Sequence, residues 1–122
     1  MIASNPRPFR LETVAFEPTP GGGVKITGSI TLADPVRQLQ PYLTTVHEAA
    51  LASGVAEVVV DLKGLTFVNS SAIRLFIDWV TWVLSSKGAY KLVFVGDRGL
   101  TWQRSALNVF KSMGGASVDV RF

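Results

Sequence analysis

The chain has 122 residues, 48% of them hydrophobic and 17% charged, which suits one folded domain with a core of its own and excludes a disordered segment. Twelve Lys and Arg against nine Asp and Glu leave a formal charge of +3, but the basic residues stand singly, without the stripe or patch that nucleic-acid binding uses. There is no cysteine, which rules out disulfides, thiol catalysis and thiolate metal sites.

The start, MIASNPRPFR, lacks the apolar run of a secretory signal. With two prolines among small polar residues, residues 1–8 read as a flexible tail ahead of a single domain over 9–122. Phe9 to Glu17 reads as an edge strand, and the Pro- and Gly-rich run from Pro18 to Gly23 as a turn. Val24, Ile26, Gly28, Ile30 and Leu32 then alternate with polar residues, the period of a half-buried strand pairing back across that turn. Asp34-Pro35 starts a helix, since Asp can cap free N–H groups and Pro suits the first turn. Its apolar positions are Val36, Leu39, Leu43, Val46 and Ala50, with Pro41 expected to kink it or move its start. Gly54 closes that helix.

Ala56 to Leu62 is an apolar run without clean alternation, read as a strand buried on both faces. A loop leads to Asn69-Ser70-Ser71 and a second helix. Tyr90 to Val95 is another buried strand. Thr101 is placed to cap a third helix, with Trp102, Ala106, Val109 and Met113 on one face and Leu107 and Phe110 beside them. Val118, Val120 and Phe122 alternate as a last strand. Strands separated by helices predict an α/β fold with a mixed, mainly parallel sheet of about five strands and helices packed on it. The longest apolar-rich stretch, Ile73 to Leu84, is too short and too amphipathic to span a bilayer. The expectation is a cytoplasmic protein with no membrane or nucleic-acid partner.

The second helix carries two apolar stripes. Ile73, Phe76, Ile77, Val80 and Leu84 form one, expected to face the sheet, and Leu75, Trp79 and Trp82 form the other. Either the neighbouring helix covers the second stripe, or it is a partner interface, including a homodimer through this helix, since Trp is enriched at hot spots.

Asn69 reads as the N-cap of this helix, its side-chain oxygen accepting a backbone N–H. A phosphate on Ser70 would meet unpaired N–H groups and the positive end of the helix dipole. Arg74, one turn along, is placed to pair it. On local grounds Ser70 and Ser71 are equally ordinary first-turn serines.

The run from Asp61 to Ala72, DLKGLTFVNSSA, resembles the signature of the STAS domain, the fold of bacterial anti-sigma factor antagonists. There, a strand enters an Asp-Ser-Ser-Gly or Asp-Ser-Thr-Gly turn that opens a helix. The resemblance covers the order of elements over residues 9–122. It implies a STAS fold and a non-enzymatic, partner-switching module in signal transduction and transcription regulation. The serine after the aspartate is phosphorylated by a partner kinase of GHKL type, often the anti-sigma factor itself, and a PP2C-type phosphatase reverses this. That serine matches Ser70, with Ser71 as second choice. Asn69 stands in place of the aspartate and Ala72 in place of the glycine. Asn69-Ser-Ser-Ala-Ile-Arg74 is also similar to the Asn-Thr-Ser-Ser-Ile-Lys turn of SiaC-type regulatory phosphoproteins, whose phosphorylated threonine again falls on Ser70.

Other chemistry is sparse. His47 is the only histidine and has no carboxylate and nucleophile arranged around it, so it reads as a packing or surface residue. The acids are dispersed, so no metal site and no cofactor is expected. Asp61 ends a strand, where α/β folds place functional groups, or caps the following loop. Gly21 to Gly23 lacks the Lys-Ser or Lys-Thr of a phosphate loop. Two alternatives to the switch follow: a constitutive scaffold, which Asn69 favours, and a small-molecule or nucleotide-binding domain using Gly96 to Gly99.

Overall fold

The computed structural model describes residues Pro6–Phe122. Of the expected tail, residues 1–5 lie outside the described residues, and Pro6 to Pro8 precede the first strand without regular structure. Seven strands and three α-helices follow in the order β1 (Phe9–Leu11), β2 (Val14–Pro18), β3 (Val24–Ile30), α1 (Pro35–Ser53), β4 (Glu57–Asp61), β5 (Leu65–Val68), α2 (Ser70–Ser85), β6 (Lys91–Val95), α3 (Thr101–Gly114) and β7 (Val118–Arg121). A short 3₁₀ turn, Gly115–Ser117, links α3 to β7.

The sheet is mixed, in the order β1-β2-β3-β4-β6-β7, with β5 pairing to β3. The β1–β2 and β2–β3 pairs are antiparallel and all the others parallel. Two strands exceed the expected five. The anticipated edge strand from Phe9 to Glu17 is two strands, because Glu12 takes a positive φ of 52° and turns the chain at Glu12-Thr13. The segment read as a loop before Asn69 contains β5. Strand β3 pairs with β4 at Val24 and Lys25, then changes partner to β5 at Gly28 through an irregularity in register. Gly28 has a φ of 93°, and a Cβ there would collide with the Thr13 carbonyl. Only glycine permits this change of partner.

The steps β3→β4→β6→β7 all advance in one direction across the sheet, so crossovers of one hand lay α1, α2 and α3 side by side on one face. Helix α2 is the middle one, touching α1 on one side and α3 on the other. Residues of β4 pointing at the helices (Val58 and Val60) are fully buried, whereas Glu57 is exposed and Val59 and Asp61 are only half-buried. The expectation of a strand covered on both faces therefore fails for β4, because no helix lies over its second face.

The helix ends follow the sequence chemistry in part. The Asp34 side chain accepts from the Arg37 N–H, and Gly54 closes α1 in the left-handed conformation. Helix α1 runs through Pro41 instead of starting there, and the Thr45 hydroxyl donates to the Pro41 carbonyl. Thr101 does not cap α3: it is the first helical residue, Leu100 holds the cap position, and no side chain caps there. The face of α3 is also rotated from expectation. Gln103, Ala106, Leu107 and Phe110 are buried, while Val109 and Met113 are exposed. Among the described residues no helix is long and apolar enough to cross a membrane.

Candidate functional site

Asn69, Ser70 and Ser71 form the junction between β5 and α2, and Asn69 is its structural hub. Its side-chain Oδ1 accepts from the Ala72 N–H at 2.9 Å, the cap expected from sequence. Its Nδ2 donates to the Leu32 carbonyl, also at 2.9 Å. Its backbone N–H donates to the Ile30 carbonyl at 3.0 Å, continuing the β3–β5 ladder. One amide thus ties the start of α2 to the chain leaving β3, two residues before the Asp34 cap of α1. A carboxylate could cap α2 equally well but has no proton to give Leu32.

Ser70 and Ser71 are both exposed, the first two residues of α2. Ala72, immediately after, is fully buried, so the first turn presents its two serines outward and anchors on the alanine. Ser71 lines a cleft of about 500 Å³ between the beginnings of α1 and α2, together with Ala33, Asp34, Pro35, Val36, Gln40, Arg74 and Asp78. Arg74 therefore sits beside Ser71 in this cleft, and its guanidinium lies 3.9 Å from the Asp78 carboxylate, with most of its side chain in solvent. Phe67, three residues before Ser70, is 52% exposed. It is an apolar surface residue next to the serines that periodicity did not single out.

The expected partner stripe on α2 is corrected. Leu75 and Trp79 are 1% and 0% exposed, and the Trp79 indole N–H donates to the Tyr90 hydroxyl at 2.8 Å inside the protein. Trp82 is half-buried, its ring 5.7 Å from that of His47 on α1. The physical reason is the position of α2 between two helices, which gives it three covered sides instead of one. A homodimer resting on Leu75 and Trp79 has no surface to use. Of the other stripe, Phe76 and Val80 are buried, Ile73 and Ile77 are half-buried, and Leu84 is 44% exposed.

The remaining candidates resolve as structure. The Asp61 Oδ1 accepts from the Lys63 N–H at 3.0 Å, capping the loop after β4. Around Gly96 to Gly99 three of the four backbone donors are already engaged: Gly96 to the Arg121 carbonyl, Asp97 to the Gln103 side chain, and Gly99 to the Asp97 carboxylate. A phosphate there would compete with bonds the loop already makes. The His47 Nδ1 lies 2.7 Å from the Tyr90 hydroxyl. Burial lowers its pKa from the usual value, and neighbouring Glu48 opposes that more weakly. Among the described residues no three His, Asp or Glu side chains gather as a metal would require.

Gln103 is the residue that pattern reading missed. Fully buried at the start of α3, it donates through Nε2 to the Leu62 and Leu65 carbonyls at 2.6 and 3.2 Å and accepts the Asp97 N–H at 2.7 Å. The Trp102 indole N–H donates to the same Leu65 carbonyl at 3.0 Å. Helix α3 thereby holds the β4–β5 loop and the start of the strand that delivers Asn69. A Gln beside Trp at a helix start carries no periodic signal, and only the two loops and the strand start it joins reveal its role.

Comparison of the chain with models of known protein families, with characterised proteins and with solved structures finds no match.

Proposed function

We propose that the chain is a STAS-like regulatory module, not an enzyme, that binds a protein partner and exchanges it when Ser70 is phosphorylated. The observation carrying this reading is the geometry of Ser70. It is exposed at the first position of a sixteen-residue helix, on a junction held by Asn69, Gln103 and Trp102. Phosphorylation transfers the γ-phosphoryl group of ATP to the Ser70 oxygen, with ADP leaving. The product carries a charge of about −1.5 to −2 beside the free N–H groups of the first turn, where the helix dipole favours an anion. The order of strands and helices along the chain, and the turn that resembles the STAS signature, support the same reading. The partners are then a GHKL-type kinase or anti-sigma-like protein and a PP2C-type phosphatase.

Asn in place of the family's Asp does not count against Ser70 as acceptor. The Asn69 amide points into the junction, toward Leu32 and Ala72, while Ser70 faces solvent.

The test is incubation with the cognate GHKL-type kinase and ATP, followed by mass spectrometric mapping of the phosphate. The expected result is phosphate on Ser70, with Ser70→Ala keeping the partner and Ser70→Asp losing it. Phosphate on Ser71 alone moves the site into the α1–α2 cleft beside Arg74. No phosphate, with partner binding unchanged in both variants, leaves a constitutive scaffold.

A further inference from the structure

Away from the phosphoserine junction, α1, α2 and β6 meet at a chain of three polar side chains. Trp79 on α2 is fully buried and its indole N–H donates to the Tyr90 hydroxyl at 2.8 Å. The His47 Nδ1, on α1, lies 2.7 Å from the same hydroxyl. The His47 ring also packs against the rings of Trp82 and Tyr90, at 5.7 and 5.6 Å between centroids. Tyr90 immediately precedes β6 and is buried, so its oxygen sits where helix, helix and sheet join.

The proton inventory of this chain is closed. An indole N–H only donates, so it occupies one lone pair of the Tyr90 oxygen. The tyrosine has one proton to give. If it gives that proton to the His47 Nδ1, every group is used, and the imidazole is neutral with its hydrogen on Nε2. If the Nδ1 carries a hydrogen instead, the Tyr90 oxygen accepts twice and its own O–H has no further acceptor in a buried position. The first arrangement is the satisfied one, and doubly protonated His47 can only make the second.

We propose that His47, Tyr90 and Trp79 form a proton-sensitive latch that holds α1 against α2 and β6, closed when His47 is neutral and released when it takes up a proton. The Tyr90 hydroxyl does not titrate in competition, because burial pushes its pKa up to about 12 despite the opposing bond from Trp79. The charges around the ring are few. Glu48, on the same helix, favours the protonated form but acts less strongly than burial. The groove over the ring is lined by Gln40 and Thr44 from α1, by Trp82 and Ser85 from α2 and by Ser86 just after it, all uncharged, and the β6 side contributes Tyr90. The face of Trp82 offers a protonated ring a weak attraction that partly offsets the lost hydrogen bond. With the native pKa of His47 lowered, the latch contributes its full stability above the unfolded value near 6.5 and loses it as pH falls through the native value.

The lone histidine makes the test direct, since its resonances need no assignment against others. Nitrogen-edited NMR of the whole chain is expected to show the Nε2–H form at pH 8 and a native His47 pKa below 6.5. The buried Trp79 indole N–H signal should shift with the same midpoint. Urea unfolding between pH 8 and pH 5 should show a loss of stability that His47→Gln lacks. Each unit of pKa depression corresponds to about a tenfold fall in the folding constant once pH is below both values. An Nδ1–H tautomer at pH 8 overturns the latch, as does a native pKa at or above 6.5, or an indole signal indifferent to the titration. Parallel pH profiles for the two proteins overturn it as well. Should His47→Gln not fold, the tautomer, the pKa and the indole signal of the unaltered chain decide the matter by themselves.

Discussion

Replacing Asn69 by Asp introduces the residue that the STAS signature carries, and the structure predicts that here it destabilises the fold. The cap to Ala72 survives, because a carboxylate oxygen accepts that N–H as well as the amide does. The bond from Nδ2 to the Leu32 carbonyl is replaced by two oxygens facing each other across 2.9 Å. In a half-buried position, losing this donor costs about 1–2 kcal/mol, with repulsion added. The new charge at the N-terminus of α2 returns about 0.3–1 kcal/mol through the helix dipole. The balance is a net loss of about 1–2 kcal/mol at pH 7, or a fall in Tm of roughly 3–8 °C for a domain of this size. Asn69→Ser, which keeps a cap oxygen and removes only the bond to Leu32, should lose about 1 kcal/mol. The pH dependence separates the two variants. A carboxylate pressed on a carbonyl has its pKa raised above the unfolded value near 3.9, so its penalty is full above the native pKa and fades as pH falls through it. The gap between Asn69→Asp and the parent should narrow below about pH 5, while that of Asn69→Ser stays constant. Urea melts from pH 7 to pH 4 measure this. An Asn69→Asp variant as stable as the parent at pH 7, or a gap that does not narrow, refutes the role given to the Asn69–Leu32 bond.

Gly28→Ala should abolish or severely impair folding, read by circular dichroism and expression level, because the added methyl meets the Thr13 carbonyl at a φ of 93° where β3 changes partner. Gln103→Ala should cost about 1–3 kcal/mol in denaturant melts by removing one of the bonds to each of the Leu62 and Leu65 carbonyls and leaving the Asp97 N–H unpaired. Gln103→Glu should be worse at neutral pH, since it aims a carboxylate at two carbonyls. Trp79→Ala should lose about 3–5 kcal/mol and broaden the unfolding transition without shifting the elution volume of the folded fraction in size-exclusion chromatography. A clean dissociation of a dimer in that variant would contradict the inward placement of Trp79.

Most of the fold could be read along the chain where one local rule sufficed. The alternation from Val24 to Leu32, the helical spacing from Val36 to Ala50, the Asp34 and Asn69 caps and the Gly54 stop all correspond to structure. The misreadings share a cause, which is dependence on partners distant in sequence. Strand β5 is four residues long and exists because β3 turns toward it at Gly28. The split at Glu12-Thr13 uses a positive φ on a glutamate, a conformation no composition rule assigns to that residue. On α2 the sequence shows two apolar stripes where a helix on a sheet needs one. Their explanation is that crossovers of one direction put this helix in the middle of three, and periodicity counts apolar faces without saying what lies against them.

The junction at Asn69-Ser70-Ser71 divides the same way. That Asn69 caps a helix and that Ser70 opens it follow from local chemistry, and the structure agrees. Why the cap is Asn follows only from Leu32, a residue thirty-seven positions earlier that needs a donor. A signature compared position by position treats an Asp-to-Asn change as erosion of a functional turn. Here the amide makes a second hydrogen bond that a carboxylate could not, directed away from the exposed serine. Whether the turn acts as a switch therefore depends on the Ser70 hydroxyl and what can reach it, not on the residue before it. Phe67 belongs to that question, since its apolar ring, half in solvent three residues before Ser70, is surface that the proposed partner would cover on docking.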